Sequence, residues 1–534
     1  MSFQQAPVLF RSLIQPRCLL VLLLLLSLAA EALAQQNRLL PTDDWAYATI
    51  TRLQRRGHLL DLNPTASPYR HGDVLAALAK IDRTRLRRTE QHWVDLLERA
   101  FKPVEKEEDE ITLGYMFQAG ARTINSDRID VVRPLGDTLN FFWYGTPFQF
   151  YADAGPFVAE IGFWWNKYYD VDPDGLDTAL RLLGRSENSY LGYHSRLFSA
   201  YLGRWSNHWG MPGEPGLLIS NNPRSQDQVY LRLGRQRFSV TGLLTELDSI
   251  TEDGRFTGRA GDDSVRVDNK RRFLASHRWD WRPSRHLTIS FMESILYSGK
   301  NAGPSLKFLN PLHTFFLVVD NIPKNDENNI LAAWLLWAKV RRFTLYGQLM
   351  IDDIDSRGES GNESVTFALA GSLVYAAPSF DVGATLEVVT ARAYNAPQPE
   401  GTYVYLLRGL ATQFSDYVHA SAFADVYLDG LVPGLRVTPR LHLLAQGERD
   451  IRQPFPANDE AIDNLLNGTV ARTVRPAVQV YFQRDPWWWI GLDAGFNVMS
   501  NVDHVEHRSE TRFVGLLEIG LRLRLDRAVG LSFP

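Results

Sequence analysis

The feature that most constrains this chain of 534 residues is a regular alternation of apolar and polar side chains. In segment 517–525 every odd position is leucine or isoleucine, and the even positions are glutamate, glycine or arginine. Segments 343–352, 418–426 and 435–443 have the same period. Because successive side chains of a β-strand point to opposite faces of the sheet, this period predicts strands with one apolar face.

The length of these segments, and the connections between them, favour one kind of β protein. The segments run for about 11–13 residues, whereas strands of soluble sheets average about 5–6. A tilted strand that crosses a membrane needs about 9–11 residues. Short turns alternate with long loops, an arrangement typical of outer-membrane β-barrels, in which closure of the sheet satisfies every backbone hydrogen bond. The short turns fall at 283–285, 341–342, 377–379, 431–433 and 485–486.

The number of strands follows from this alternation of short and long connections. We find about 17 candidate strands, and the alternation fails only between a long predicted strand at 189–203 and the next at 228–234. A short additional crossing at Gly216–Asn221 restores both the alternation and an even number of strands. The sequence therefore predicts an all-β transmembrane barrel of about 18 antiparallel strands, with about 16 as the fallback.

Residues 1–34 have the pattern of a secretory signal peptide. Basic residues precede an apolar run at 18–30, and residues 32–34 are Ala-Leu-Ala, the small-residue spacing of a cleavage site. The run is too short to cross a bilayer as a helix, which needs about 20 residues. Cleavage before Gln35 would remove the single cysteine, Cys18, so no disulfide or thiol chemistry is expected.

Residues 35–110 have a different period from the rest of the chain. Three segments, 43–56, 71–82 and 85–101, have apolar side chains at helical spacing and are separated by proline or glycine. The pattern predicts a small periplasmic helical module before the barrel, which then occupies residues 111–534.

Composition excludes several other classes of protein. The formal net charge is −4, which is too balanced to indicate a nucleic-acid partner. No second apolar run approaches about 18 residues, so helical membrane spans are not expected. The serines and histidines follow no nucleophile motif, so neither an enzyme nor a cofactor is predicted.

One stretch of the chain is similar to a known family. Residues 203–205 (Gly-Arg-Trp), 209–210 (Trp-Gly) and 217–224 (Leu-Leu-Ile-Ser-Asn-Asn-Pro-Arg) resemble the signature of the capsule-assembly (Wzi-type) outer-membrane family. Segments 47–70 and 431–439 are also similar to parts of that family. The resemblance extends over essentially the whole mature chain, with strong identity only in the signature.

The resemblance implies a lectin of the cell surface rather than an enzyme, because members of this family hold capsular polysaccharide at the outer membrane. The expected partners are capsular or extracellular polysaccharide, outer-membrane lipid and lipopolysaccharide, and the barrel-assembly machinery during insertion. Met211, where the family more often has proline, and the inserted Glu214-Pro215 depart from the family pattern. A diffusion porin for solutes is the alternative function that a barrel leaves open.

The candidate polysaccharide-binding residues lie in the signature stretch. Indole faces stack on sugar rings, and amide and guanidinium groups bind hydroxyl and acidic groups. The same residues could instead form a lumenal plug at 204–227, and a plug could also line a binding channel. These residues are Arg204, Trp205, Asn207, His208, Trp209, Asn221, Asn222 and Arg224.

A second set consists of arginines on the polar face of the predicted strands, which should line the lumen. They would attract an acidic polysaccharide or an anionic solute, or they would pair with interior carboxylates. These residues are Arg436, Arg440, Arg522 and Arg524.

Two other patterns favour structural roles. Aromatic clusters at 141–144, 164–165 and 487–489 fall near strand ends and predict the girdle at the membrane interface. Asp170, Asp172 and Asp174 begin like a calcium-binding loop, but an arginine occupies the position of the expected bidentate glutamate, so an acidic loop without metal is favoured.

Overall fold

The computed structural model describes the chain between residues 37 and 530 with gaps. The predicted signal peptide at 1–34 and the candidate calcium ligands Asp170, Asp172 and Asp174 lie outside the described residues. Within the described part, no helix has the length and apolar character to cross a membrane. The described residues are 37–107, 110–126, 130–132, 142–166, 184–249, 270–315, 317, 328–354, 365–396, 399–406, 408–453 and 462–530.

An 18-stranded antiparallel sheet closes into a barrel, which confirms the predicted fold class. The last strand pairs with the first, from Glu110 opposite Gly530 to Ile124 opposite Leu516. The barrel strands are β1 (Glu110–Ile124), β2 (Phe142–Ala154), β3 (Phe157–Asn166), β4 (Gly184–His194), β5 (Phe198–Trp205), β6 (Gln226–Gly234), β7 (Phe238–Glu246), β8 (Arg271–Ser284), β9 (Leu287–Gly299), β10 (Asn328–Val340), β11 (Phe343–Ile354), β12 (Val365–Ala376) and β13 (Phe380–Val389). A separate small hairpin, β14 (Val404–Tyr405) and β15 (Arg408–Gly409), precedes the remaining barrel strands, β16 (Tyr417–Tyr427), β17 (Leu435–Gln446), β18 (Ala471–Asp485), β19 (Trp488–Ser500) and β20 (Ser509–Gly530).

Two of the predicted strand assignments are wrong, although the predicted number of strands is confirmed. The segment predicted as one strand at 189–203 is the hairpin of β4 and β5, and the Ser195 amide closes its turn by donating to the Phe198 carbonyl at 2.7 Å. That turn contains neither glycine nor proline, so no turn signal marks it in the sequence. The predicted crossing at Gly216–Asn221 is not a strand, because its apolar side chains pack inside the barrel.

The two faces of the strands meet different surroundings. In β20, Leu517, Leu523 and Leu525 are 49%, 50% and 69% exposed. On the opposite face of the same strand, Glu518 and Arg522 form hydrogen bonds with residues inside the barrel. Since a belt of exposed leucine is unfavourable in water, the leucine face is the surface that meets membrane hydrocarbon.

The N-terminal helices form a small module with its own core. Leu53, Val74 and Leu97, one from each α-helix, are fully buried in one apolar cluster. The Asp44 side chain caps the first helix by accepting a hydrogen bond from the Ala46 amide at 2.8 Å. The module contains α1 (Trp45–Arg55), α2 (His71–Leu78), a 3₁₀ turn (Arg83–Arg85) and α3 (Arg88–Phe101).

The module packs against the end of the barrel that carries the short turns. Arg56 donates to Asp381 at 2.8 Å and to the Ala377 carbonyl at 2.7 Å, next to the turn between β12 and β13. Arg99 donates to the Arg484 carbonyl at 3.1 Å, next to the turn between β18 and β19. Short turns of outer-membrane barrels face the periplasm, so the module lies at the periplasmic end.

Two connecting segments, 206–225 and 390–416, fold into the barrel from the end with the long loops. Leu217 is fully buried in the same cluster as Leu335 of β10 and Tyr346 of β11. The apolar core of the barrel therefore forms between folded-in loops and the inner face of the wall.

Candidate functional site

Residues 206–225, which we call the lumenal segment, are hydrogen-bonded to the barrel wall through β11. The Gln348 side chain donates to the Trp209 carbonyl at 3.0 Å and accepts from the Leu217 amide at 2.6 Å. The Tyr346 hydroxyl donates to the Pro215 carbonyl at 2.8 Å. These contacts satisfy main-chain groups of a buried segment that forms no regular secondary structure.

The lumenal segment also contacts the other folded-in loop, 390–416. The hydroxyl groups of Tyr394 and Tyr403 donate to the carbonyls of Leu217 and Leu218 at 2.7 and 2.9 Å. The segment is thus held between the barrel wall on one side and a second loop on the other.

Arg204 and Trp205, the first two predicted site residues, belong to the end of β5. Arg204 forms an ion pair with Asp227 on the neighbouring strand. Trp205 is fully buried, and its ring meets the Tyr190 ring edge-on with centroids 4.9 Å apart. Both ring faces of Trp205 are therefore used in packing.

Asn207, His208 and Trp209 are also buried. The Asn207 amide nitrogen donates to the Tyr201 hydroxyl at 2.9 Å. The main chain of His208 forms an antiparallel bridge with Ser67, whose amide donates to the His208 carbonyl at 3.1 Å. This bridge joins the lumenal segment to the helical module.

Asn221, Asn222 and Arg224 line a cavity of about 710 Å³ inside the barrel, which we call the lumenal cavity. Its walls come from α1, the end of the lumenal segment, strands β1–β4 and strands β17–β20. It extends from Trp45, at the periplasmic end, to Trp164, near the external end of β3. Its volume is within the range of about 300–1,000 Å³ that is usual for ligand sites.

Two of the four predicted lumen-lining arginines, Arg436 and Arg522, also line the lumenal cavity. Arg436 lies 3.9 Å from the Asp425 carboxylate, and Arg522 lies 2.6 Å from the Asp44 carboxylate of the module. Both arginines therefore have carboxylate partners within the fold.

The other two arginines, Arg440 and Arg524, contact different parts of the interior. The Arg440 guanidinium lies 5.6 Å from the centre of the Phe423 ring. Arg524 pairs with Asp526 at 2.5 Å and donates to the Ala100 carbonyl of α3 at 2.7 Å. Neither residue lines the lumenal cavity.

A cluster around Glu518 forms part of the cavity wall, and sequence reasoning missed it. Glu518 accepts hydrogen bonds from Arg122 at 2.5 Å, from Tyr144 at 2.6 Å and from Trp489 at 2.9 Å. The prediction of a girdle position for Trp489 is wrong, because its side chain is buried and lines the cavity. Ile490 is 37% exposed, so the alternation along β19 already contained the signal that Trp489 points inward.

Trp164 and Trp165 lie on opposite faces of β3. Trp165 is 46% exposed, as expected of a side chain in the girdle. Trp164 lines the lumenal cavity, and its ring centroid lies 6.0 Å from that of Tyr144. The pair therefore divides between the lipid surface and the interior.

The lumenal cavity is nearly balanced in charge, since six arginines and five carboxylates line it. Together with its indole and phenol rings, these groups can bind a ligand that presents hydroxyl groups and apolar ring faces. Among the described residues, no group of three or more histidine, cysteine, aspartate or glutamate side chains could hold a metal ion.

Glu214 in the lumenal segment is a further buried ionisable group that the sequence did not single out as a site. Burial raises its pKa to about 7, although the charge of Arg55 acts in the opposite direction. A proton is therefore bound to this carboxyl over part of the physiological pH range.

A closed 18-stranded barrel with an apolar outer face and short turns at one end defines a protein of the outer membrane. Sequence comparison then finds a family that part of the chain resembles. The family described as capsule assembly protein Wzi matches residues 168–405, which include the lumenal segment. The match covers less than half of the chain, and it confirms the predicted resemblance to this family.

One solved structure with a TM-score above 0.5 has the same fold. Wzi from Escherichia coli, described as a carbohydrate-binding β-barrel involved in group 1 capsule assembly, is 11% identical over 93% of this chain and 100% of its own, with a TM-score of 0.58. OpdK and OccK3 from Pseudomonas aeruginosa are 11% and 9% identical, cover 79% and 78% of this chain and 100% and 96% of their own, and both have TM-scores of 0.42. No curated protein sequence matches the chain.

Proposed function

We propose that this protein binds capsular or extracellular polysaccharide and keeps it at the cell surface without making or breaking a covalent bond. The family match to capsule assembly and the carbohydrate binding described for the Escherichia coli barrel support this function. The main structural support is the lumenal cavity, which is lined by Asn221, Asn222 and Arg224 of the signature stretch together with Arg436 and Arg522.

The cavity offers the groups that a polysaccharide needs. The rings of Tyr144, Trp164 and Trp489 can pack on the apolar faces of sugar rings. Amide and guanidinium groups can bind hydroxyl and carboxylate groups by hydrogen bonds. Each contact is weak, but repeated units along one polymer raise retention through multivalency.

The filled interior weighs against the alternative of a diffusion porin. Leu217 and Leu218 of the lumenal segment are fully buried, and the loop 390–416 packs beside them. A wide aqueous channel needs an inner wall that faces water, as in porins.

A strain that lacks the gene tests the proposal. We expect that strain to release polysaccharide into the medium while total synthesis continues, and the wild-type gene should restore the cell-bound fraction. The same amount of cell-bound polysaccharide with and without the gene would exclude the function.

Two neighbouring tryptophans provide a matched pair of variants for the site. Trp164→Ala, which removes a ring from the lumenal cavity, should restore less cell-bound polysaccharide than the wild type. Trp165→Ala, which removes an exposed ring from the outer face, should restore it fully. Equal retention by the two variants would show that the polymer does not use the cavity.

A further inference from the structure

A second cavity, of about 780 Å³, lies at the periplasmic end of the barrel, and we call it the basic cavity. It is bounded by residues 61–80 of the helical module, by strands β4–β8 and by the short turns at 195–197 and 235–237. It shares no lining residue with the lumenal cavity.

The basic cavity has a strong excess of positive charge. Eight arginine or lysine residues and two aspartates line it, although the formal net charge of the whole chain is −4. Both aspartates are already paired, Asp61 with Lys80 at 2.6 Å and Asp73 with Arg70 at 2.7 Å. A concave surface with unbalanced charge raises the local concentration of ions of the opposite sign.

Four of the lining arginines form no ion pair within the described part of the chain: Arg232, Arg235, Arg237 and Arg282. The Arg282 side chain donates instead to the Leu60 carbonyl at 2.6 Å. Arg235 and Arg237 are exposed in the turn between β6 and β7. Arg232 donates to the Ser239 hydroxyl at 3.2 Å. The exposed guanidinium groups of Arg235 and Arg237 are available to an anionic ligand, and guanidinium binds carboxylate and phosphate with good geometry.

Other lining groups suit a sugar. Tyr230 is half-buried, and one face of its ring packs on the buried Tyr201 ring with centroids 4.7 Å apart, so only the other face can meet a ligand. The His194 side chain also lines the cavity and is 1% exposed. Among the described residues, neither ring nitrogen of His194 has a hydrogen-bond partner. A hydroxyl group of a ligand would satisfy this buried imidazole, since unpaired buried polar groups are rare in folded proteins.

We propose that the basic cavity binds an anionic saccharide, a sugar that carries a carboxylate or a phosphate group. Arg235 and Arg237 bind the anionic group, Arg232 adds positive charge beside them, and Tyr230 contributes apolar surface. The proposal does not depend on polysaccharide retention at the cell surface, because it concerns a separate cavity that shares no lining residue with the lumenal cavity, and because it is tested by binding to the purified protein.

Isothermal titration calorimetry on the purified full chain in detergent tests the site with three probes. Tetragalacturonate supplies carboxylates on sugar rings, glucose 6-phosphate supplies a phosphate, and maltotetraose is neutral. We expect one of the anionic probes to bind and maltotetraose not to bind, and the anionic probe that binds identifies the group recognised. Equal binding of the neutral probe, or binding of none of the probes, would overturn the proposal.

Variants then locate the binding. Arg235→Gln with Arg237→Gln should weaken binding of the anionic probe at least about tenfold, the effect of losing a charge-assisted hydrogen bond. His194→Phe should also weaken it while the thermal stability is kept, because phenylalanine fills the same buried space. Unchanged affinity in both variants would refute the assignment.

A matched control separates the site from general charge attraction. Arg285→Gln with Arg341→Gln removes the same charge from other short turns, outside the basic cavity. We expect wild-type affinity in this control. An equal loss of affinity in the control and in the Arg235 and Arg237 variant would show that binding follows net charge, which would also overturn the proposal.

Discussion

Replacing Gln348 with leucine should release the lumenal segment from the barrel wall and leave the barrel itself intact. Gln348 donates to the Trp209 carbonyl at 3.0 Å and accepts from the Leu217 amide at 2.6 Å. Leucine has nearly the same size, so the variant removes two hydrogen bonds and creates little empty space. Both main-chain groups would then be buried without a partner.

The size of the effect follows from these two groups. A buried polar group without a partner costs about 1–3 kcal/mol, so the free energy needed to open the lumenal segment should fall by about 2–6 kcal/mol. Since about 1.4 kcal/mol corresponds to a factor of ten in an equilibrium constant, the open population should rise by about 30-fold or more.

Hydrogen exchange measured by mass spectrometry detects this opening. Peptides from 206–225 should exchange at least about 30-fold faster in Gln348→Leu, whereas peptides from the barrel strands should not change. The Trp209 amide, which donates to the Ile219 carbonyl at 2.9 Å, reports opening of the segment itself. Gln479→Leu is the control, because it makes the same substitution on β18 and removes a hydrogen bond to Asp493 of 2.7 Å that does not involve the lumenal segment. Unchanged exchange in 206–225, or an equal increase in the control, would refute the reasoning.

Three other perturbations have defined outcomes. Asp381→Asn removes the buried charge that Arg56 contacts at 2.8 Å, and it should lower the free energy that holds the helical module on the barrel by about 3–5 kcal/mol. Proteases should then cleave the module faster. Arg83→Gln, which breaks an exposed ion pair, should not change the rate of cleavage. Burial raises the pKa of Glu214 from 4.5 to about 7, so protection of 206–225 should be complete below pH 4.5 and decrease as the pH rises through about 7. Exchange corrected for its intrinsic rate should lose this pH dependence in Glu214→Gln. The full chain in a planar bilayer should conduct almost no ionic current, and a large steady conductance would contradict a filled interior.

The pattern of short and long connections predicted the number of strands correctly, although it did not predict the position of every strand. The alternation between short and long connections predicted one more crossing between 203 and 228, and the structure has the additional crossing earlier in the chain. The missing crossing comes from the division of 189–203 by the turn at Ser195, not from Gly216–Asn221. An even number of strands is required when a barrel closes with antiparallel pairs only, whereas the place of a turn depends on local residues that carried no turn signal.

The sequence also contained a sign of the filled interior in β10. Residues 330–338 are apolar on both faces of the strand. Trp334 is 46% exposed toward lipid, while Leu335 and Trp337 are buried inside. A strand with two apolar faces needs an apolar partner on both sides. That partner is the lumenal segment, which lies more than a hundred residues earlier in the chain.

The sequence by itself determined the number of strands and most of their positions, their lipid-facing side, the helical module and the family signature. Alternation, helix spacing and turn residues act between near neighbours, so they can be recognised without the fold. Only the tertiary structure decided which signature residues pack and which line a cavity. Trp205 is buried against Tyr190, whereas Asn222 reaches the lumenal cavity. The reason is physical: closure of the barrel and inward folding of two loops create contacts between residues far apart in sequence, and the two-residue period specifies only that a side chain points inward, not what it meets there.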